Sequence, residues 1–396
     1  MLFFGVQKER VKPTKAVTVL IRSLQVMPMI VWNILATILL ICSLSFCAIK
    51  EDHSNIQCIQ NDTYPGRLPT SVLPTHYSIH LTLPGPDTSN ATTFKGSVQI
   101  QLEVVVDTTC IVFNAKNLDF SVKDVVFIAN KQAFSVQQLQ FDSKNSIAIA
   151  LFSQPFSAGT KGTLMISYSG FIQQDEARGL FLSNNSFSPS DMKTFPKHVQ
   201  NIKNNNQFSN FFKRFNSIKS HFMDYNELPV QNTISSSQKQ NLKMLATQFE
   251  FSDARAAFPS WDEPDFKSTF EYRITVPNGQ NLTVLTNTDE KSRQTSKNTI
   301  TFEFHKTKIV MSTYLVAFAV GQFDFLEKKE GDVRFRIFTP PGNSQYATLA
   351  MNVSIKAVSF FSKMFNFSYA NLNRKMDQIS VPAIQYDAME NQGNLF

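Results

Sequence analysis

The chain has 396 residues, of which 42 % are hydrophobic and 17 % charged, and a net charge of +7. That is enough apolar material for two or three packed domains, and it excludes a disordered or fibrous class. The charge is local: residues 1–28 hold five basic and one acidic side chain, residues 186–243 hold eight and three, and the remainder holds 25 and 27. A near-neutral body excludes nucleic acid as a partner.

Residues 1–27 read as a short basic tail carrying Lys8, Arg10, Lys12, Lys15 and Arg22. Residues 28–49 carry no charge and match the ~20 residues that cross a bilayer core. With the basic residues before it, the positive-inside rule predicts a single-pass type II anchor: one transmembrane helix, the tail in the cytoplasm, and an extracellular ectodomain. The alternative is a signal peptide cleaved near Ser45-Phe46-Cys47. Of the cysteines, Cys42 and Cys47 lie in the apolar span. Cys58 and Cys110 can form a disulfide or stand as two thiols. Glycosylation sequons start at Asn61, Asn90, Asn184, Asn281, Asn352 and Asn366. They suit an exterior location, although each tripeptide alone is a weak signal.

Residues 50–72 are polar, with Pro65-Gly66 and Pro69, and predict a stalk. From there apolar residues alternate: Tyr77, Ile79, Leu81 and Leu83; Val98, Ile100, Leu102, Val104 and Val106; Leu164, Ile166 and Tyr168; Tyr272, Ile274 and Val276; Ile300, Phe302 and Phe304. Short period-two runs between turn signals predict a mainly β protein, with an antiparallel β domain over 73–328. Residues 187–242 interrupt it. They are rich in Asn, Lys, Ser and Phe and lack any sustained period. They read either as a disordered insert or as sequence outside the mature protein. After Gly331-Asp332 comes another strand, Val333 to Ile337, then a Pro340-Pro341-Gly342 break. Ala350, Val353, Ala357, Val358, Phe361 and Phe365 then recur at helical spacing, which predicts an amphipathic helix over about 345–365. Residues 329–396 thus open a second, α+β domain.

Two runs carry chemistry. The first is Thr247-Gln248-Phe249-Glu250-Phe251-Ser252-Asp253-Ala254-Arg255, continued by Phe258-Pro259-Ser260-Trp261-Asp262-Glu263-Pro264. If the segment is extended, Gln248 and Glu250 share a face, and an amide beside a carboxylate can receive a ligand amine. The same pair also fits a strand edge facing solvent. The second run is Asp387-Ala388-Met389-Glu390-Asn391. A carboxylate shielded from water is a strong partner for an ammonium, because the charge-assisted bond is then worth most. Asp262-Glu263-Pro264 is acidic enough for a metal but also fits a structural turn.

Both runs resemble the signatures of the gluzincin aminopeptidases, the aminopeptidase N family. Pro74-Thr75-His76-Tyr77 and Ala177-Arg178-Gly179-Leu180-Phe181 fit as well, so the resemblance covers about 70–186 and 243–396. It implies a β saddle or sandwich domain followed by the truncated start of a thermolysin-like α+β catalytic domain. It also implies that Gln248 borders the pocket for the N-terminal side chain, and that Glu250 and Glu390 hold the α-amine of a peptide. Backbone groups of Asp387 and Ala388 would pair with the peptide as an added strand, beside Met389. Asp253 and Arg255 would buttress the turn. Peptide N-termini are the implied partners, and the resemblance also allows a homodimer.

The sequence departs from the family in two places. Asp387 stands where the family has Gly, and the zinc motif His-Glu-x-x-His is not present. Zinc in this class needs two helical histidines four apart, a carboxylate ligand and a catalytic glutamate. Among the six histidines only His76 and His80 have that spacing, and they lie in a strand-like run. The expectation is therefore the N-terminal part of a membrane-bound zinc metalloaminopeptidase. Zinc belongs to the full-length family member, and no metal or catalytic residue is assigned in this chain. The alternative is a non-catalytic, aminopeptidase-like surface receptor or interaction protein.

Overall fold

Strand Val72–Thr82 buries Tyr77, Ile79 and Leu81 and leaves alternate residues more exposed, as its period-two pattern requires. The computed structural model describes residues 66–88, 91–185, 242–382, 384 and 388–396, all within the unit formed by residues 58–396. The apolar span 28–49, Cys42, Cys47, Cys58, Asn61, Asn90, Asp387 and nearly all of the 187–242 insert lie outside these residues. Among the described residues no helix is long and apolar enough to cross a membrane.

The described chain is mainly β. Its largest sheet runs in the order Glu290–Thr295, Thr299–Phe304, Thr269–Pro277, Val72–Thr82, Thr93–Val104, Lys161–Phe171, Val125–Ala129 and Gln132–Ser135, with the short strand Leu118–Asp119 also on Lys161–Phe171. Most neighbours are antiparallel, but Val72–Thr82 pairs in parallel with Thr269–Pro277, His76 opposite Thr269. The wholly antiparallel expectation fails here. These two strands are far apart in the chain, so a crossover connection joins them and no hairpin fixes their direction.

The alternating sets predicted from sequence form the core. Val98, Ile100, Leu102 and Val104, then Leu164, Ile166 and Tyr168, then Tyr272, Ile274 and Val276, are all buried. Val106 is not: its strand ends at Val104, and Val106 is 57 % exposed. A three-stranded sheet of Thr108–Asn114, Ile147–Phe156 and Gln138–Asp142 packs on the large one, with Phe156 4.9 Å and Phe152 6.2 Å from the Phe127 ring. Cys110 on that sheet is disulfide-bonded, and its partner lies outside the described residues.

A third sheet orders Gly179–Asn185, Leu242–Gln248, Phe318–Gly321 and Thr283–Thr286. A fourth orders Asp324–Glu330, Val333–Thr339, Lys375–Ile379 and Asn394–Leu395, its last three strands parallel. The fourth sheet thus begins at Asp324, ahead of the composition change near 329. The helix Thr348–Met364 packs on this sheet through Met351, with Ala350 and Val358 beside it and Ala347 just before its start, against Val333, Phe335 and Ile337. Its buried face is only partly the one predicted. Val353, Phe361 and Phe365 are 39 %, 49 % and 67 % exposed. The helix is apolar on more than one side, and periodicity alone does not choose between sides.

The centre of the core is polar at one point. Tyr77 stacks on Phe270 at 4.9 Å, and its hydroxyl accepts the Trp261 backbone N–H at 3.0 Å. Burial pushes the Tyr77 phenol pKa far up, so it stays neutral. The Tyr77→Phe variant removes that acceptor and leaves a buried N–H unpaired, at a cost of about 1–3 kcal/mol. Equilibrium unfolding in denaturant checks this, and an unchanged midpoint contradicts it.

Candidate functional site

Strand Leu242–Gln248 lies inside the third sheet, with Gly179 opposite Gln248 on one side and Val320 opposite Leu245 on the other. The strand stops at Gln248. Phe249 turns inward, fully buried against Phe258 and Phe318. A turn then closes with Asp253 N–H donating to Phe249 O at 2.9 Å. Glu250 therefore sits on the turn, half-buried, and does not continue the Gln248 face. The Glu250–Phe251 peptide is cis. Gln248 itself is 3 % exposed, so it does not stand at a solvent-facing strand edge.

The second motif meets the first at this strand end. Gln248 Nε2 donates to Met389 Sδ at 3.5 Å across 141 residues of sequence. Met389 is buried and its neighbours alternate, Ala388 and Glu390 exposed and Asn391 buried. Glu390 is thus exposed where the family resemblance led us to expect a shielded carboxylate. The inward turn of Met389 sends the next side chain out. Met389 and Phe396 exchange two backbone hydrogen bonds, at 2.9 and 3.0 Å, and Asn394 N–H closes on Asn391 O at 3.2 Å. At the tip Gly393 has φ +72°, and a Cβ there would come 2.2 Å from Asn373 Nδ2 and 2.8 Å from Asn287 O. Only glycine fits both the dihedral and the space.

A buried ion cluster holds the back of this loop. Lys375 Nζ donates to Gly393 O at 2.9 Å, Thr286 O at 2.6 Å and Asp377 Oδ2 at 2.7 Å. Arg336 clamps the same carboxylate through Nε and a terminal nitrogen, at 2.8 and 2.7 Å. Burial works against Asp377 ionising, yet the Lys375 and Arg336 charges hold its pKa below the usual carboxylate range. Burial lowers the Lys375 pKa, and Asp377 opposes the fall. Asn287 joins the same seam. Its Nδ2 donates to Leu315 O and Gln392 O at 2.8 and 3.0 Å, and its Oδ1 accepts from Tyr272 Oη and Ala317 N. None of these four residues stood out in the sequence. Lys375 and Asp377 alternate with Met376 like the outer face of any strand, and Asn287 lies in a turn-like run.

The arrangement leaves polar atoms free. Among the described residues Gln248 Oε1 is buried without a partner, as are Asn391 Nδ2, Gln392 Oε1 and both amide atoms of Asn394. Glu250 and Glu390 make no hydrogen bond or ion pair among the described residues. An ammonium carries three donors and no acceptor, so an unpaired amide oxygen and open carboxylates are the kinds of group that receive one. An unpaired buried acceptor costs about 1–3 kcal/mol, which a bound donor relieves.

The other acidic and basic residues of the first motif are structural. Asp253 accepts from Lys116 Nζ at 3.0 Å and Arg178 Nε at 3.1 Å. Arg255 grips Asp262 through Nε at 3.0 Å, while Thr313 donates to the other Asp262 oxygen at 2.6 Å. Glu263 takes Arg67 Nε and the Leu68 N–H. Asp262-Glu263-Pro264 is therefore a pinned turn with its oxygens engaged. His76 and His80 bond to Thr269 and Thr275 of the neighbouring strand. On a strand, residues four apart are about 13 Å apart, too far to share one metal. Among the described residues no group of three or more His, Cys, Asp or Glu side chains is placed to hold a metal. Of the sequons, Asn184, Asn281, Asn352 and Asn366 are exposed.

Residues 73–204 and 224–315 match the Peptidase M1 N-terminal domain. The match reaches into the 187–242 insert and leaves 205–223 outside. Aminopeptidase M1 of Arabidopsis thaliana is 28 % identical over 330 residues, 83 % of this chain and 31 % of that protein. Aminopeptidase 2 of Candida albicans is 27 % identical over 329 residues, 82 % of this chain and 28 % of that protein. Mitochondrial aminopeptidase 2 of Saccharomyces cerevisiae is 37 % identical over 150 residues, 38 % of this chain and 15 % of that protein. The chain spans less than a third of the length of these relatives.

The ion cluster sets an acid limit on the loop. Asp377 titrates lower folded than unfolded, so the unfolded chain binds more protons as pH falls. Its contribution is full above the ordinary carboxylate pKa of about 4 and is lost as pH drops through the folded value. The Asp377→Asn variant leaves Lys375 and Arg336 without a counter-charge and should lose about 3–5 kcal/mol at pH 7. Its stability should also fall less steeply below pH 4 than that of the parent. Unfolding midpoints across pH 2–7 check both; parallel curves contradict the assignment.

Proposed function

The chain belongs to the peptidase M1 family, and from that premise we propose that residues 66–396 form the peptide-end binding part of a membrane-anchored zinc aminopeptidase. The observation that carries the reading is the meeting of Gln248 with Met389, which sets a free buried amide oxygen beside the segment bearing Glu390. In this reading the α-ammonium of a peptide donates to Gln248 Oε1, Glu250 and Glu390. Met389 walls the first side chain, and Ala388, with Asp387, offers backbone groups to the peptide as an edge strand does. An enzyme that holds the terminal ammonium this way releases residues only from chain ends.

Zinc is the family's metal, polarising the scissile carbonyl and activating water. The described residues offer no set of ligands for it, so no step through the metal is assigned to them. What they supply is orientation of the peptide's first residue. The second reading, a non-catalytic surface protein on the same scaffold, draws on Asp387 in place of the family's Gly. The uncharged 28–49 span is the proposed type II anchor, and the sequons then lie outside the cell.

A short peptide with a free amine should bind at least about tenfold more tightly than its N-acetylated form, because a charge-assisted bond is worth ~1.5–3 kcal/mol. Glu390→Gln should abolish that difference without altering stability, since Glu390 is exposed. Calorimetric titration of the full chain reads it, and equal affinities for the two peptides would sink the proposal. For the anchor, the protein should stay with membranes through an alkaline wash. Recovery in the supernatant points to a cleaved leader instead.

A further inference from the structure

Behind the Asn391–Asn394 turn lies a cleft of about 170 Å³ that the peptide-end reading does not use. One wall is the segment His305 to Lys308, which follows strand Thr299–Phe304. The other is Leu372 to Arg374, which leads into strand Lys375–Ile379. Asn287, Thr288, Asp289 and Gln392 form the floor. Three cations, Lys306, Lys308 and Arg374, line it, and none is ion-paired among the described residues. The one acid in the lining, Asp289, is taken up by Arg334, with Arg336 at 3.7 Å. Glu271 feels the charge of Lys306 but does not pair with it.

We propose that this cleft binds a phosphate-type anion, either free or as a small phosphomonoester. Glu271 offsets part of the Lys306 charge, and the remaining like charges around one concave space repel, so an anion between them relieves the repulsion. Arg374 offers a planar fork and the lysines offer point charges, the pairing that suits tetrahedral oxyanions. The size discriminates further. Drug-sized ligands occupy ~300–1,000 Å³, so this smaller cleft suits a phosphoryl group with a short stem. A nucleic-acid strand does not fit it, since the charge is confined to one cleft on a near-neutral body. Gln392 lies in the lining, and its buried Oε1, without a partner among the described residues, can accept from a hydroxyl on the stem.

The site is independent of the peptide-end reading, and the experiment keeps the two apart. Inorganic phosphate is titrated into the full chain at constant ionic strength, with chloride as balance, and Tm and phosphorus-31 line width are followed. Both should change saturably with phosphate and not with chloride. Lys308→Gln/Arg374→Gln should move the midpoint up by at least about tenfold, the equivalent of one charged hydrogen bond. All three cations are exposed, so the variants should fold, which circular dichroism checks. Lys291→Gln, exposed and outside the cleft, and Glu390→Gln should both leave the response intact. Phosphoserine binding tenfold more tightly than phosphate identifies a phosphomonoester as the occupant, and equal affinity identifies the free anion. A response no greater than that to chloride, or one unchanged in the double variant, overturns the proposal.

Discussion

Lys375 Nζ donates to Thr286 O, Gly393 O and Asp377, and the geometry of the loop from Ala388 to Phe396 depends on those three bonds. Thr286 ends a strand of the third sheet, Asp377 belongs to the fourth, and Gly393 is the tip of the turn. A buried ammonium is expensive unless every proton is used and a counter-charge is close. Here all three protons are engaged, and Arg336 fixes the counter-charge by a two-point clamp. The turn therefore cannot slide without stranding a charge. Gly393 cannot accept a side chain without striking Asn373 or Asn287. The loop that carries Met389 and Glu390 is held from behind, which leaves its front free for a ligand.

The front shows the opposite arrangement. Gln248 uses its amide nitrogen on a thioether, a weak acceptor, and its buried oxygen has no partner among the described residues. Nor do the carboxylates of Glu250 and Glu390 in the two motifs have one. In the same stretch of chain, Asp253, Asp262 and Glu263 are all saturated by arginine, lysine, hydroxyl or backbone donors. The contrast separates acids that hold the fold from acids open to a ligand. It rests on hydrogen-bond inventories and not on residue type.

Much of the β architecture was legible in the sequence, because side-chain alternation is a local property of a strand. The Tyr77, Val98, Leu164 and Tyr272 runs bury the face that their pattern marks, except at Val106 past the end of its strand. The helix near 345–365 was legible in extent and only partly in orientation. Of its apolar stripe, Ala350 and Val358 pack on the sheet beside Met351, while Val353, Phe361 and Phe365 are exposed. Strand direction was likewise out of reach at Thr269–Pro277, where a long connection separates the partners.

At the candidate site the sequence by itself marked Gln248, Glu250, Met389 and Glu390 as candidates, because they stand in motifs that resemble those of a known peptidase family. It also fixed the period of each strand. Only the tertiary structure decided that Gln248 points inward onto Met389, that Glu250 leaves the strand for a turn, and that Glu390 faces outward. It alone revealed Lys375, Asp377, Arg336 and Asn287 as the frame behind the loop. Polar residues alternating along a strand have the same pattern whether they face water or a buried counter-charge. Which one they meet is set by chain segments tens to a hundred residues away, and no local pattern encodes that.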